Sequence, residues 1–136
     1  MEQRQTKVPK PIPPELEKIG KEIVDCAFKV HSTLGAGLLE SVYDVCLAHE
    51  LTKRGLYVQR QLSIPIVYDN IRFDAGLRID LMINEAVIIE VKVVETILAV
   101  HKAQVLTYLK LTNTRLGYLI NFDTPVIKDG IRRLVL

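Results

Sequence analysis

Cysteine is scarce in this chain, with only Cys26 and Cys46 among 136 residues. Both fall within helical apolar patterns, which favours two buried thiols in a reducing cytoplasm over a disulfide framework or a redox pair. Charge of one sign is scarce too: a net charge of +2 permits a nucleic-acid partner without demanding one. No apolar run reaches the length of a membrane span, so no membrane partner is expected. The opening residues, Met-Glu-Gln-Arg-Gln-Thr-Lys, lack the apolar core of a secretory signal, and a cytoplasmic location is expected. Two motif fragments lack what they would need. Gly35-Ala36-Gly37 has no third glycine and follows no strand, so it reads as a helix hinge rather than a dinucleotide loop. His49-Glu50 meets Lys53 where a zinc protease requires its second histidine. No internal repeat is visible.

What is present describes a globular chain, 49% hydrophobic and 25% charged, of a length that suits one domain. Residues 1–13 are polar and proline-rich, with Pro9, Pro11 and Pro13 alternating. They predict an extended, polyproline-like arm, either loose or lying on a partner subunit. Residues 14–136 form the domain. Pro14 suits a first helical turn, and Ile19, Ile23, Ala27, Val30 and Leu34 share one face of a helix that ends at the glycine hinge. A second helix is expected from about Leu38 to the Gly55 stop, with Leu39, Val42, Cys46 and either Glu50 or Leu51 as its core stripe and Glu40, Tyr43 or Asp44, and Leu47 beside it. The period then changes to strands. Val58–Tyr68 contains Pro65, which suggests an edge or a bulge, and Asp69-Asn70 marks a turn before Ile71–Ile83 and Ala86–Val94. A helix follows over Thr96–Thr112, with Ile97, His101, Gln104, Tyr108 and Leu111 on one face and Leu98, Val105 and Leu109 beside it. Strands at Arg115–Phe122 and Gly130–Leu136 close the chain. The crossover helix makes its flanking strands parallel, so the fold class is α/β, a central mixed sheet flanked by helices.

The richest stretch is Arg78–Lys92, two apolar strand-like runs joined at Asn84-Glu85. Side chains on a strand alternate between faces, so Glu90 and Lys92 share one. A two-residue turn would set Asp80 opposite Ile89 and leave Glu90 on the other face. A three-residue connection, Asn84-Glu85-Ala86, or one bulge sets Asp80 opposite Glu90 and Arg78 opposite Lys92, and this is the register predicted. Two carboxylates and an ammonium on one face suit phosphodiester hydrolysis with a hard divalent cation, held through oxygen. On strand pattern alone, a buried Glu90–Lys92 or Asp80–Arg78 ion pair without metal remains the alternative.

Asp80 followed by Glu90-Val91-Lys92 resembles the signature of the PD-(D/E)XK nuclease superfamily, and the order of elements is similar to its core. Gly37-Leu38-Leu39-Glu40-Ser41-Val42-Tyr43 resembles the motif of the GxxExxY proteins, a bacterial branch. Gln104-Val105-Leu106-Thr107-Tyr108 is similar to the QxxxY helix motif of the exonuclease branch. The resemblance spans roughly Ile19 to Leu136. It implies a restriction-endonuclease-like core with Asp80, Glu90 and the backbone carbonyl of Val91 as metal ligands, and Lys92 positioning the nucleophilic water. It further implies that Glu40 supplies another metal-site carboxylate, either to a second cation or to a metal-bound water, and that Gln104 and Tyr108 contact substrate phosphate or the Lys92 end of the site. Ile79 stands where the name-giving proline would be, a position that varies widely in such nucleases.

The expected activity is therefore a Mg²⁺- or Mn²⁺-dependent nuclease acting on nucleic acid, DNA before RNA, with zinc disfavoured by the oxygen ligands. The alternative is a catalytically silent nucleic-acid- or protein-binding module that keeps the fold. An enzyme acting on some other phosphate-containing substrate is a third reading. A homodimer is compatible with the small domain and its arm. Of the remaining candidates, His31 reads as a capped or solvated helix end rather than a pocket residue and Tyr43 as core rather than ligand, while His101 stands one turn before Gln104 and faces the same way. Lys102, Lys110, Arg115, Arg132 and Arg133 form either a phosphate rim or a solvated face.

Overall fold

The computed structural model describes residues 8–136. Three helices and five strands follow the expected order: α1 (Pro14–Leu34), α2 (Glu40–Lys53), β1 (Val58–Tyr68), β2 (Ile71–Ile83), β3 (Val87–Lys92), α3 (Ala99–Thr112), β4 (Leu116–Asn121) and β5 (Ile131–Val135), with a 3₁₀ turn at Ile127–Gly130. The strands form one sheet in sequence order. All neighbours run antiparallel except β3 and β4, which α3 connects and makes parallel. The fold is thus α/β with a mixed sheet. Among the described residues no helix is long and apolar enough to cross a membrane.

Alternation along the central strands divides the core in two. Leu81, Ile83, Val87, Ile89 and Val91 pack beneath α1 and α2, together with Ile23, Leu47 and Leu51. Met82, Ile88 and Leu119 face the other way and pack on Val105 and Leu109 of α3. Gly117 lets α3 sit close to β4, since a Cβ there would come within 2.9 Å of Val105.

Two helical faces differ from expectation. On α2 the buried residues are Tyr43, Asp44, Leu47, Ala48 and Leu51, whereas Leu39 is 74% exposed and Val42 36%. The helix is rotated toward the adjacent stripe because Tyr43 stacks on Phe122, with centroids 4.6 Å apart, and because Asp44 finds polar partners beneath it. On α3, Leu98 and Leu111 are exposed, and Val105 and Leu109 alone are buried. The arm lies on this chain over its described part: Arg115 donates to the carbonyls of Lys10 and Pro11, and Ile12 packs on the core. The expectation for residues 1–7 lies outside the described residues.

The β1–β2 hairpin is far longer than its contact with β3. β2 pairs with β1 from Ile83 to Ile71, with breaks at Asp80 and beside Pro65, but with β3 only at Leu81↔Ile89, Met82↔Ile88 and Ile83↔Val87. These three pairs confirm the three-residue connection; Asn84 and Glu85 adopt left-handed backbone at φ 50° and 54° to make it. Beyond them β2 leaves β3 and the sheet forks. Pro65 lies where the β1–β2 register shifts, between Ile64 and Ile66, on an edge strand as expected.

Candidate active site in the fork of the sheet

The fork opens at Asp80. Continuing the β2–β3 register one step would set Asp80 beside Glu90, where the pairing stops. In place of a ladder bond, Asp80 Oδ2 accepts the backbone N–H of Val91 at 2.9 Å. Alternation also breaks here, since Leu81 packs on the α1/α2 side but Ile79 on the α3 side. An acidic side chain has taken a backbone position in the sheet and so holds the two strands apart.

Asp80, Glu90, Lys92, Glu40, Gln104 and Tyr108 all line one open cavity of ≈ 680 Å³. The hairpin provides its remaining wall through Ser63, Ala75, Gly76, Leu77 and Arg78. Every side chain expected at the site is therefore gathered there, from four different elements. Glu40 stands at the start of α2, exposed at the cavity mouth. Gln104 and Tyr108, one turn apart on α3, join by a 2.8 Å hydrogen bond from the amide to the phenol.

Burial sets the electrostatics. Glu90 is 6% exposed, and its Oε1 lies 3.4 Å from the Lys92 ammonium. Its Oε2 is buried without a hydrogen-bond partner. Desolvation, followed by the neighbouring Asp80 carboxylate, pushes the Glu90 pKa from 4.5 up to about 7. Burial likewise raises Asp80, against the pull of the Val91 N–H. Glu40 is raised by partial desolvation and then by Asp80. Burial and the nearby Glu90 raise the Tyr108 hydroxyl. Three carboxyls that each resist ionisation, first through burial and then through neighbouring carboxylates, form a site short of positive charge.

The donor set suits a hard cation. Among the described residues no three Asp, Glu, His or Cys side chains form a ready-made ligand group. Mg²⁺ does not require one, because it keeps several waters and is commonly bound through one or two carboxylates. The unpartnered Glu90 Oε2 is the kind of atom such an ion satisfies. Successive residues of a strand point their backbone groups to opposite sides. The Lys92 carbonyl accepts from Phe122 on the β4 side, so Val91 directs its backbone groups toward the fork.

Two residues at the site carry no clear mark in the sequence. Asp44 is 4% exposed and accepts from Arg60 Nε at 3.0 Å and from Gln61 Nε2 at 2.6 Å. Gln61 occupies left-handed backbone (φ 50°) within β1. Nothing in the alternating run Val58–Tyr68 singles it out, and Asp44 shows on the second helix only as a polar residue flanking a core stripe. The histidine candidates do not line this cavity, although His101 shares an adjoining pocket with Lys92 and Gln104. His31 bonds the Thr124 carbonyl at 2.8 Å, and His101 Nδ1 accepts the Leu98 N–H at the start of α3. The supposed phosphate rim is largely engaged in other contacts: Arg115 holds the arm, Arg133 pairs with Glu17, and Arg132 binds the carbonyls of Asp129 and Ile131. Arg78 is the arginine that reaches the cavity.

Tyr43 explains why Glu40 is placed as it is. Its hydroxyl donates to the Gly35 carbonyl at 2.7 Å and accepts the Leu38 N–H at 3.1 Å, fastening the hinge to the helix it precedes. Gly37, at φ 94°, takes a backbone conformation that other residues rarely adopt.

A sequence model of the PD-(D/E)XK nuclease superfamily matches residues 17–134, which includes all of these residues. No curated protein and no solved structure matches the chain.

Proposed function

Because the chain belongs to the PD-(D/E)XK nuclease superfamily, we propose that it is a divalent-cation-dependent nuclease that hydrolyses phosphodiester bonds of nucleic acid, DNA before RNA. The observation that carries this reading is the buried, unpartnered Glu90 Oε2 in a cavity shared with Asp80 and Lys92. Leaving a buried carboxylate oxygen unpaired costs several kcal/mol unless something binds there.

Asp80, Glu90 and the Val91 carbonyl hold Mg²⁺ or Mn²⁺. When bound, the cation supplies Lewis-acid polarisation of a phosphoryl oxygen and lowers the pKa of water beside it. Lys92 orients the attacking water and offsets the negative charge that grows on phosphorus. Glu40 adds a further carboxylate at the exposed rim of the cavity. Gln104 and Tyr108 contact the substrate phosphate across the cavity. The Gly37–Glu40–Tyr43 unit supports placing the chain in the GxxExxY branch, with residues 14–136 as a single nuclease domain. Two free cysteines suit work in the reducing cytoplasm.

Incubation with single-stranded, double-stranded and branched DNA and RNA in Mg²⁺ tests the activity. Lys92→Ala is expected to slow cleavage by about 10²-fold or more, the scale of removing one donor from a charge-stabilising site. Cleavage at an undiminished rate in that variant, or in the presence of a chelator, would contradict the proposal.

A further inference from the structure

The geometry points to Gln61 as a positioning residue for Asp80, an inference that rests on the cation site proposed above. Three observations converge on it. The β1–β2 ladder pairs Arg60↔Leu81 and Leu62↔Ile79 but skips the step between them, where Gln61 meets Asp80. At that step the Gln61 backbone is left-handed (φ 50°), although an ordinary strand residue stays on the other side of the map. Such a conformation is unfavourable for glutamine and persists only where surrounding contacts impose it.

The contacts that impose it lie between two carboxylates. Gln61 Nε2 is 2.6 Å from Asp44 Oδ2 and 3.5 Å from Asp80 Oδ1. Both partners are acceptors, so the amide nitrogen, and not its oxygen, must face them. Asp44 is itself fixed: it is 4% exposed, its other oxygen accepts from Arg60 Nε, and it sits on the buried face of α2. Asp80 Oδ2 is taken by the Val91 N–H, and Oδ1 faces Gln61. The Asp80 carboxylate is therefore gripped on one oxygen by β3 and guided on the other by an amide anchored to α2. Gln61 shields Asp44 from Asp80 and sets the rotation of the carboxylate that presents to the cation.

Outer partners of this kind typically change metal affinity by tenfold or more when removed. Gln61→Gly deletes the amide and suits the left-handed backbone. Gln61→Asn keeps an amide on a residue that tolerates the same backbone but shortens its reach. Mn²⁺ binding to the full chain is measured by calorimetry, with thermal melting of the metal-free protein as the control. Both variants leave a buried Asp44 oxygen without its amide, so both are expected to melt several degrees below the parent and, in addition, to bind Mn²⁺ about tenfold more weakly. A purely structural glutamine would move melting and leave affinity alone. Affinity within twofold of the parent in both variants would overturn the positioning role, while the loss of binding in Asp80→Ala would keep the cation site itself intact. A parent chain that binds no Mn²⁺ would overturn the cation reading and this inference with it.

Discussion

Glu90 is the residue on which the chemistry turns, and its burial gives it a measurable signature. Its carboxyl is raised from 4.5 to about 7 in the folded chain, so the native state holds a proton there that the unfolded state has released. The stability this contributes is fully present below about pH 4.5 and is lost as pH rises through about 7. The loss is at most about 3.5 kcal/mol, since each tenfold change in a protonation equilibrium is worth about 1.4 kcal/mol. Urea titrations of metal-free protein across that window are expected to show this decline for the parent and a flatter profile for Glu90→Gln. A cation favours the ionised carboxylate, so Mg²⁺ is expected to restore part of the lost stability near pH 7. At this scale the sequence is partly legible. Asp80, Glu90 and Lys92 stand out because charges inside a Val/Ile run are costly without a purpose, whereas Gln61 and Asp44 carry no such mark.

At the scale of elements, helices are easier to find than to orient. The periodicity of α2 admits two adjacent stripes, and the tertiary contact between Tyr43 and Phe122 decides in favour of the one containing Tyr43. No pattern within the helix encodes a ring just past the end of β4. The strand register, in contrast, is legible, since a one-residue slip would send either Asp80 or the apolar set to the wrong face. The Tyr43 hydroxyl links element to site: it ties Gly35 and Leu38 together just before Glu40. Tyr43→Phe keeps the stacked ring and loses those two bonds. It is expected to cost about 1–2 kcal/mol in urea unfolding and to lower the cleavage rate by loosening the start of α2, whereas a hydroxyl without a role would change neither.

The whole molecule is a sheet that splits. β2 follows β1 out of the sheet while β3 stays with β4, and the carboxylates occupy the gap where backbone pairing ends. Two helices close one face and α3 closes the other, and both sides contribute to the same cavity: Glu40 from α2, Gln104 and Tyr108 from α3. Element order and the parallel crossover are readable from the chain; the fork is not, because it depends on a side chain replacing a backbone partner. A crystal grown or soaked with Mn²⁺ tests the central claim most directly. Anomalous scattering is predicted to place one ion in the fork, bound by Asp80, Glu90 and the Val91 carbonyl. An ion bound elsewhere, or none at a concentration that supports cleavage, would contradict it.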